Sequence, residues 1–318
     1  MALVVSAPVP AGANLPESSA IVVTLLGTGT PVPNANQYGA STLVEAGGQT
    51  FLFDCGRGCG IRLAQANPKL FNKVDKIFLT HLHSDHVVGL PEIWLNGWTQ
   101  NRNTPFRIWG PVGTSALMTG LREAFSWDIN IRNIVEKVPA TTLALDPVVS
   151  EIVADGEIYD YGGVRITAFL VDHAEAKPAF GYRIDYAGHS VVLSGDTRPA
   201  PAVIKQATSA DVLIHEVIPP RMITYLKANY SAEQVETVIN HHTTASQAAR
   251  IFAASHPGLA VYSHYVAGTE SDKELVAETR RAYAGHLLLG KDFTSISIGN
   301  SITICERDEN CRVVRNAR

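Results

Sequence analysis

The sequence predicts an α/β protein, a sandwich of two mixed β-sheets with helices over the outer faces, and three observations carry that expectation. Apolar runs rich in Val, Ile, Leu and Phe recur along the whole chain. Segments of helical period lie between some of these runs and not between others. Several runs stop abruptly at histidine or aspartate. The first feature supplies strands, the second mixes parallel with antiparallel neighbours and puts helices outside, and the third places chemistry at strand ends.

The strands are read in order at IVVTLL, TLVEA, TFLFD, KIFLT, FRIWG, VRITAFLV, FGYRIDY, SVVLSGD, DVLIHEV, LAVYSHY and SISIGNSITI. Helical patterns fall at PEIWLNGWTQ, SALMTGLREAF, PAVIKQATSA, TTASQAARIFAASH and KELVAETRRAYA. Pro91 suits the first turn of its helix, and Thr243 and Thr244 precede an alanine-rich stretch as start signals. DKIFLTHLH and LAVYSHY echo each other as buried-type strands ending on histidine, which suggests two related halves meeting at one site.

With 318 residues and 46% hydrophobic content the chain can bury a substantial core. Residues 1–20 are small, Pro-rich and uncharged until Glu17, and read as a flexible tail; 21–318 read as a single domain. The tail lacks the basic start and long apolar stretch of a complete signal peptide but is compatible with the start of an exported protein. An exported or periplasmic location is therefore expected, with the cytoplasm as the alternative. No apolar run approaches the roughly 20 residues that span a bilayer, so no membrane association is expected. The net charge of −4 gives no sign of the basic surface used to grip nucleic-acid phosphates. Cys305 and Cys311 flank ERDEN on the two arms of an expected hairpin, where either a disulfide or two thiols fits.

KIFLT reads as a strand buried on both faces, and HLHSDH follows it at once. In extended chain His81 and His83 project to one side and can grip one metal ion; Asp85 and His86 follow a turn at Ser84 and can serve a second. This mixed nitrogen and oxygen set suits zinc and tolerates manganese or iron. A surface loop would need three histidines and an aspartate to coincide by accident. One loop cannot complete two sites, and His173, Asp196 and His264, each following an apolar strand, are the candidates to do so. Taken singly, the histidines fit packed core residues and Asp196 fits a turn cap.

In combination HLHSDH, LGTGTP (26–31), FDCGRG (53–58), SGDT and YSHY resemble the motifs of the metallo-β-lactamase superfamily, over roughly residues 21–300. That resemblance implies a four-layered αββα sandwich, a first metal on His81, His83 and His173, a second on Asp85, His86 and His264, and Asp196 bridging both. It implies two zinc ions, a hydroxide between them as nucleophile, and a hydrolytic enzyme in which Asp85 joins His242 and Glu216 among the catalytic residues. LIHEV and HHTTASQAA are similar to motifs of the ribonuclease Z branch and its arylsulfatase-like and phosphodiesterase-like relatives. By that similarity His242 donates a proton to the leaving group or steadies the transition-state charge, and Glu216 orients it. His242 could otherwise be an ordinary residue at a helix start, and His241 divides between a supporting and a surface role.

The interval 174–195 holds only a strand pair, where tRNA-processing members of that branch carry a basic arm. A small-molecule ester is therefore the expected partner and nucleic acid is not favoured; a homodimer is compatible with similar proteins. The expected reaction is hydrolysis of phosphodiesters or related esters. The alternatives are β-lactamase or lactonase action, tRNA 3′ processing, and metal binding without catalysis. Trp94, Trp98, Trp109 and Trp127 fit core packing first and the wall of an apolar pocket second, and 95–105, 126–147 and 219–232 are expected as substrate-selecting loops.

Overall fold

The computed structural model describes residues 20–137, 141–307 and 311–314. The expected tail, Ala20 apart, lies outside them. Among the described residues sixteen strands form two sheets. The first combines β1 (Ile21–Gly27), β2 (Ser41–Ala46), β3 (Gln49–Phe53), β4 (Lys76–Phe78), β5 (Arg107–Pro111) and β6 (Val148–Ile152) with the C-terminal strands. The second takes β7 (Gly156–Tyr161), β8 (Val164–Val171), β9 (Ala179–Tyr186), β10 (His189–Leu193), β11 (Val212–Glu216), β12 (Leu259–Ser263) and β13 (Leu287–Leu289). β14 (Ser295–Ile298), β15 (Ile302–Cys305) and β16 (Cys311–Val314) return to the first sheet beside β1.

Both sheets are mixed, as the sequence implies. The pairs from β3 through β6 and from β10 through β13 are parallel, while the remaining pairs are antiparallel, most of them hairpins and β1–β14 a long-range pair. Turn chemistry sets three of those hairpins. Gly47-Gly48, Gly162-Gly163 and Ala187-Gly188 each place both central residues at positive φ, the backbone that matches the twist of paired strands.

Apolar side chains fill three layers. Val23, Phe51, Phe53 and Phe78 of one sheet meet Ile166, Tyr182, Val191 and Val261 of the other. On the outer face of the first sheet lie α1 (Cys59–Ala66), a one-turn α2 (Ser84–Val87), α3 (Leu90–Thr99), α4 (Thr114–Ala124) and α5 (Ser126–Asn130), packed through Leu63, Trp94, Trp98 and Met118. Outside the second sheet lie α6 (Pro201–Ala207), α7 (Pro220–Asn229), α8 (Ala232–His241), α9 (Ala245–Ser255) and α10 (Thr269–Arg280), packed chiefly through Val203, Ala248 and Phe252. This is the αββα sandwich.

Some expected loops are helical instead. α3 runs to Thr99, 126–135 is helical, and α7 occupies most of 219–232, with Pro219-Pro220 giving it the preferred start. Of the two roles open to the tryptophans, the packing role holds for all but Trp127. Trp94 and Trp98 are fully buried and donate Nε1–H to the Leu145 and Thr141 carbonyls, Trp109 stacks on Phe78, and only Trp127 is exposed. The expected hairpin at the C-terminus forms, and Cys305 and Cys311 are bonded across it. Cys55 and Cys59 also pair, at the start of α1.

Candidate metal centre

Strand direction gathers the candidates. Asp54 follows β3, His81 follows β4, His173 follows β8, Asp196 follows β10, Glu216 ends β11 and His264 follows β12. The pairing of β8 to β12 puts the last four at one edge of the second sheet, and carboxyl ends of strands are where α/β sheets hold ligands. Two glycines permit the approach. A side chain at Gly56 would run into the Asp85 carbonyl, and Gly195 sits at φ +61 against Phe180 and Thr80.

The metal loop itself divides as its sequence suggests. His83 is extended and caps α2, so His81 and His83 point one way while Asp85 and His86 leave from the short helix. Their ligand atoms fall into overlapping groups: His81, His83 and His173; His81, His86 and Asp196; Asp85, His86 and His264. His173 Nε2 lies 3.2 Å from His83 Nδ1, and His264 Nε2 lies 3.1 Å from Asp85 Oδ2. Asp196 stands between the groups, with Oδ2 3.3 Å from His86 Nε2, 3.9 Å from His81 Nε2 and 4.0 Å from His173 Nε2, and Oδ1 3.4 Å from His264 Nδ1. All seven sequence candidates for ligands therefore come together.

The far sides of the imidazoles are held as well. Asp54 Oδ2 lies 2.8 Å from His86 Nδ1, the Thr80 hydroxyl lies 3.0 Å from His81 Nδ1, and the His241 carbonyl accepts from His173 Nδ1 at 2.8 Å. Asp54 also accepts from the Thr80 backbone N–H at 2.8 Å and from its hydroxyl. Such partners fix each ring and leave the opposite nitrogen to face a cation. Asp54 and His264 adopt positive φ, 56° and 52°, a conformation costing on the order of 1 kcal/mol outside glycine and concentrated at functional sites.

Whether these residues fit metal ions is answered by their unpaired atoms. His81 Nε2 and His86 Nε2 are buried and have no hydrogen-bond partner among the described residues. Burial and the neighbouring His86 push the His81 pKa well down, so its Nε2 lone pair is available. Burial opposes ionisation of Asp196, but His264, His86 and His81 outweigh it and hold the carboxyl well below its usual range. Converging lone pairs and buried carboxylates are the donor set of a divalent cation, and the residues present fit one.

Beside this cluster lies a second pair. His242 caps the end of α8, and its Nδ1 is 3.2 Å from Glu216 Oε1 and 4.0 Å from Asp196 Oδ2. Burial works against its charge, yet Glu216 and Asp196 raise the imidazole to about 9, which makes it cationic at neutral pH. Glu216 Oε1 is anchored by the backbone N–H groups of Thr197 and Thr243, both at 3.1 Å. A buried carboxylate thus fixes the ring, as expected for a proton donor. Of the two readings of His241, the supporting one holds for its backbone, through the bond to His173.

Sequence reasoning assigned no role to Asp54 or Thr80. Asp54 carried the same signal as the ligands, an acidic residue ending an apolar strand, within FDCGRG.

A family model described as Anti-Pycsar protein Apyc1 matches residues 21–232. Ribonuclease Z of Mycobacterium marinum is 35% identical over 285 residues, covering 87% of this chain and 99% of that protein. Ribonuclease Z of Mycolicibacterium gilvum is 37% identical over 285 residues, covering 87% and 96%. Among solved structures, human tRNase Z, short form, superposes with a TM-score of 0.64 at 24% identity over 87% of this chain and 99% of that one. The metallo-β-lactamase fold protein YhfI from Bacillus subtilis gives 0.63 at 21% identity over 86% and 98%. Fold and site define a hydrolase of the metallo-β-lactamase superfamily. Within it the chain belongs to the family described by the Anti-Pycsar protein Apyc1 model, and by its ribonuclease Z relatives it is ribonuclease Z-like.

Proposed function

We propose that the protein is a metal-dependent phosphodiester hydrolase holding two zinc ions, the first on His81, His83 and His173, the second on Asp85, His86 and His264, with Asp196 shared. The observation that carries this reading is the His242–Glu216 pair set 4.0 Å from Asp196, a proton donor at the rim of the ligand cluster. Two divalent ions so held would lower the pKa of a water and neutralise charge on a substrate. The chain's own residues do the rest. His242 delivers a proton to the leaving oxygen, and Glu216 keeps its Nδ1–H engaged so that Nε2 is the donating atom. Asp85 Oδ2 lies 3.1 Å from His264 Nε2 and 3.5 Å from His86 Nε2, which puts this carboxylate among the ligands of the second ion. His83 is exposed at the mouth and stands where a substrate enters.

Among phosphodiesters, a small ester is the first reading. The interval 174–195 contains β9, β10 and their tight turn, with no basic arm, and the net charge is −4. An RNA end is the second reading, favoured by relatives named ribonuclease Z that this chain matches over nearly their whole length. One metal-replete preparation tested on aryl phosphodiester, aryl sulfate, lactone, β-lactam and precursor-tRNA substrates separates them. The proposal expects the highest kcat/KM on a phosphodiester, and preference for the lactone or β-lactam overturns it.

A further inference from the structure

Directly against the ligand cluster, between the two sheets, lies a cavity of about 50 Å³ bordered by Ser41, His215 and Glu216 and by His86, Asp196 and His264. Four polar atoms on its lining residues are buried and have no hydrogen-bond partner among the described residues; one, His86 Nε2, belongs to the ligand cluster, and the other three are Glu216 Oε2, His215 Nε2 and Ser41 Oγ. Buried polar atoms left unpaired are costly, and they are normally satisfied by protein or by ordered water. Their chemistry states what is needed. His215 Nδ1 lies 2.7 Å from the Glu216 carbonyl, which can only accept, so Nδ1 carries the proton and Nε2 the lone pair. Glu216 Oε1 already receives N–H groups from Thr197, Thr243 and His242, and Oε2 is a further acceptor. Ser41 can donate its hydroxyl proton.

Two acceptors and one donor on one small cavity match the complement of a single water, with two protons to give and a lone pair to receive. We propose that an ordered water fills this cavity, bonding His215 Nε2, Glu216 Oε2 and Ser41 Oγ, and that His215 is thereby a positioning residue for the Glu216–His242 pair. Glu216 is tethered through Oε1 alone by direct contacts. The water fixes its second oxygen and with it the plane of the carboxylate that orients His242. His215 touches neither substrate nor metal in this arrangement; burial lowers its pKa and keeps it neutral, as the role requires.

The inference rests on His242 as proton donor, and its test has one arm independent of activity. A high-resolution crystal structure of the metal-replete protein should show a water about 2.6–3.2 Å from all three atoms. An empty cavity, or an occupant that gains anomalous signal after a rubidium soak, overturns the proposal. In the second arm, His215→Phe and Ser41→Ala are assayed on aryl phosphodiesters of graded leaving group. Both variants should keep the wild-type metal content and lose about tenfold in kcat on the poorest leaving group, a part of the 10²–10⁴ that a proton donor supplies, with under about twofold loss on the best. Equal loss across the series overturns the positioning role. If the wild-type protein hydrolyses no phosphodiester, the functional reading fails, and the crystal structure alone decides the water.

Discussion

Replacing Asp54 with Asn is the sharpest test of how the centre is held. Asparagine tolerates the positive φ of 56° at this position, so the backbone is not an added variable. The carboxylate receives the Thr80 backbone N–H on Oδ1 and faces His86 Nδ1 with Oδ2, each at 2.8 Å. An amide cannot do both. With its oxygen on the Thr80 N–H, its NH2 faces His86 Nδ1, which must then accept, and the ring proton moves to Nε2 where a metal should bind. With the amide reversed, NH2 confronts the backbone N–H. Loss of a partner of this kind typically costs about 10- to 100-fold in metal affinity, equivalent to about 1.4–2.7 kcal/mol. Competition against a chelator of known affinity, with metal content measured on the purified variant, reads this directly. Affinity within twofold of wild type, in a folded variant, would refute the argument that Asp54 sets the His86 tautomer.

Three further outcomes are expected. Asp196→Asn removes the charge shared by the two ligand groups, and metal content and kcat/KM should both fall, the latter by at least about 100-fold; unchanged metal content would remove its bridging role. His242→Ala should keep its metals and slow substrates with poor leaving groups by about 10²–10⁴, those with good ones far less, whereas uniform slowing across a leaving-group series would count against proton donation. Trp98→Ala should lower stability by about 3–5 kcal/mol in denaturant titration, while Trp127→Ala should stay within about 0.5 kcal/mol, because the first ring is buried and the second is exposed; the reverse order would contradict the packing described.

The first ring of ligands was legible because its residue types are conspicuous where they stand. Histidine and aspartate directly after apolar strands contradict the core pattern, and they did so at His81, His173, Asp196 and His264. Supporting residues other than Asp54 send no such signal. Thr80 is ordinary at a strand end, and the His241 contribution comes from a carbonyl that every residue possesses. Some of the missed fold did have a local mark. Ser231 and Gln234 form a reciprocal cap that starts α8, and Gly162-Gly163 between GEIYDY and VRITAFLV specifies the β7–β8 hairpin. Others had none. β13 is three residues at a sheet edge, and its pairing is set by its neighbour β12 and not by its own pattern. The clustering of tryptophans in sequence does not by itself say which way they face; the period of α3 turns Trp94 and Trp98 inward together.

The contact between Asp85 and His264 joins residues 179 apart in the chain, and it lies across the two sheets. A growing polypeptide therefore exposes the metal loop long before β12 is made, and contacts of such separation form only after slow, long-range closure. Until then the nascent chain has only part of a coordination shell to offer. Acquisition of the full complement is thus a late event in biogenesis, and a chain halted short of residue 264 should bind cations weakly even if its first sheet has already collapsed.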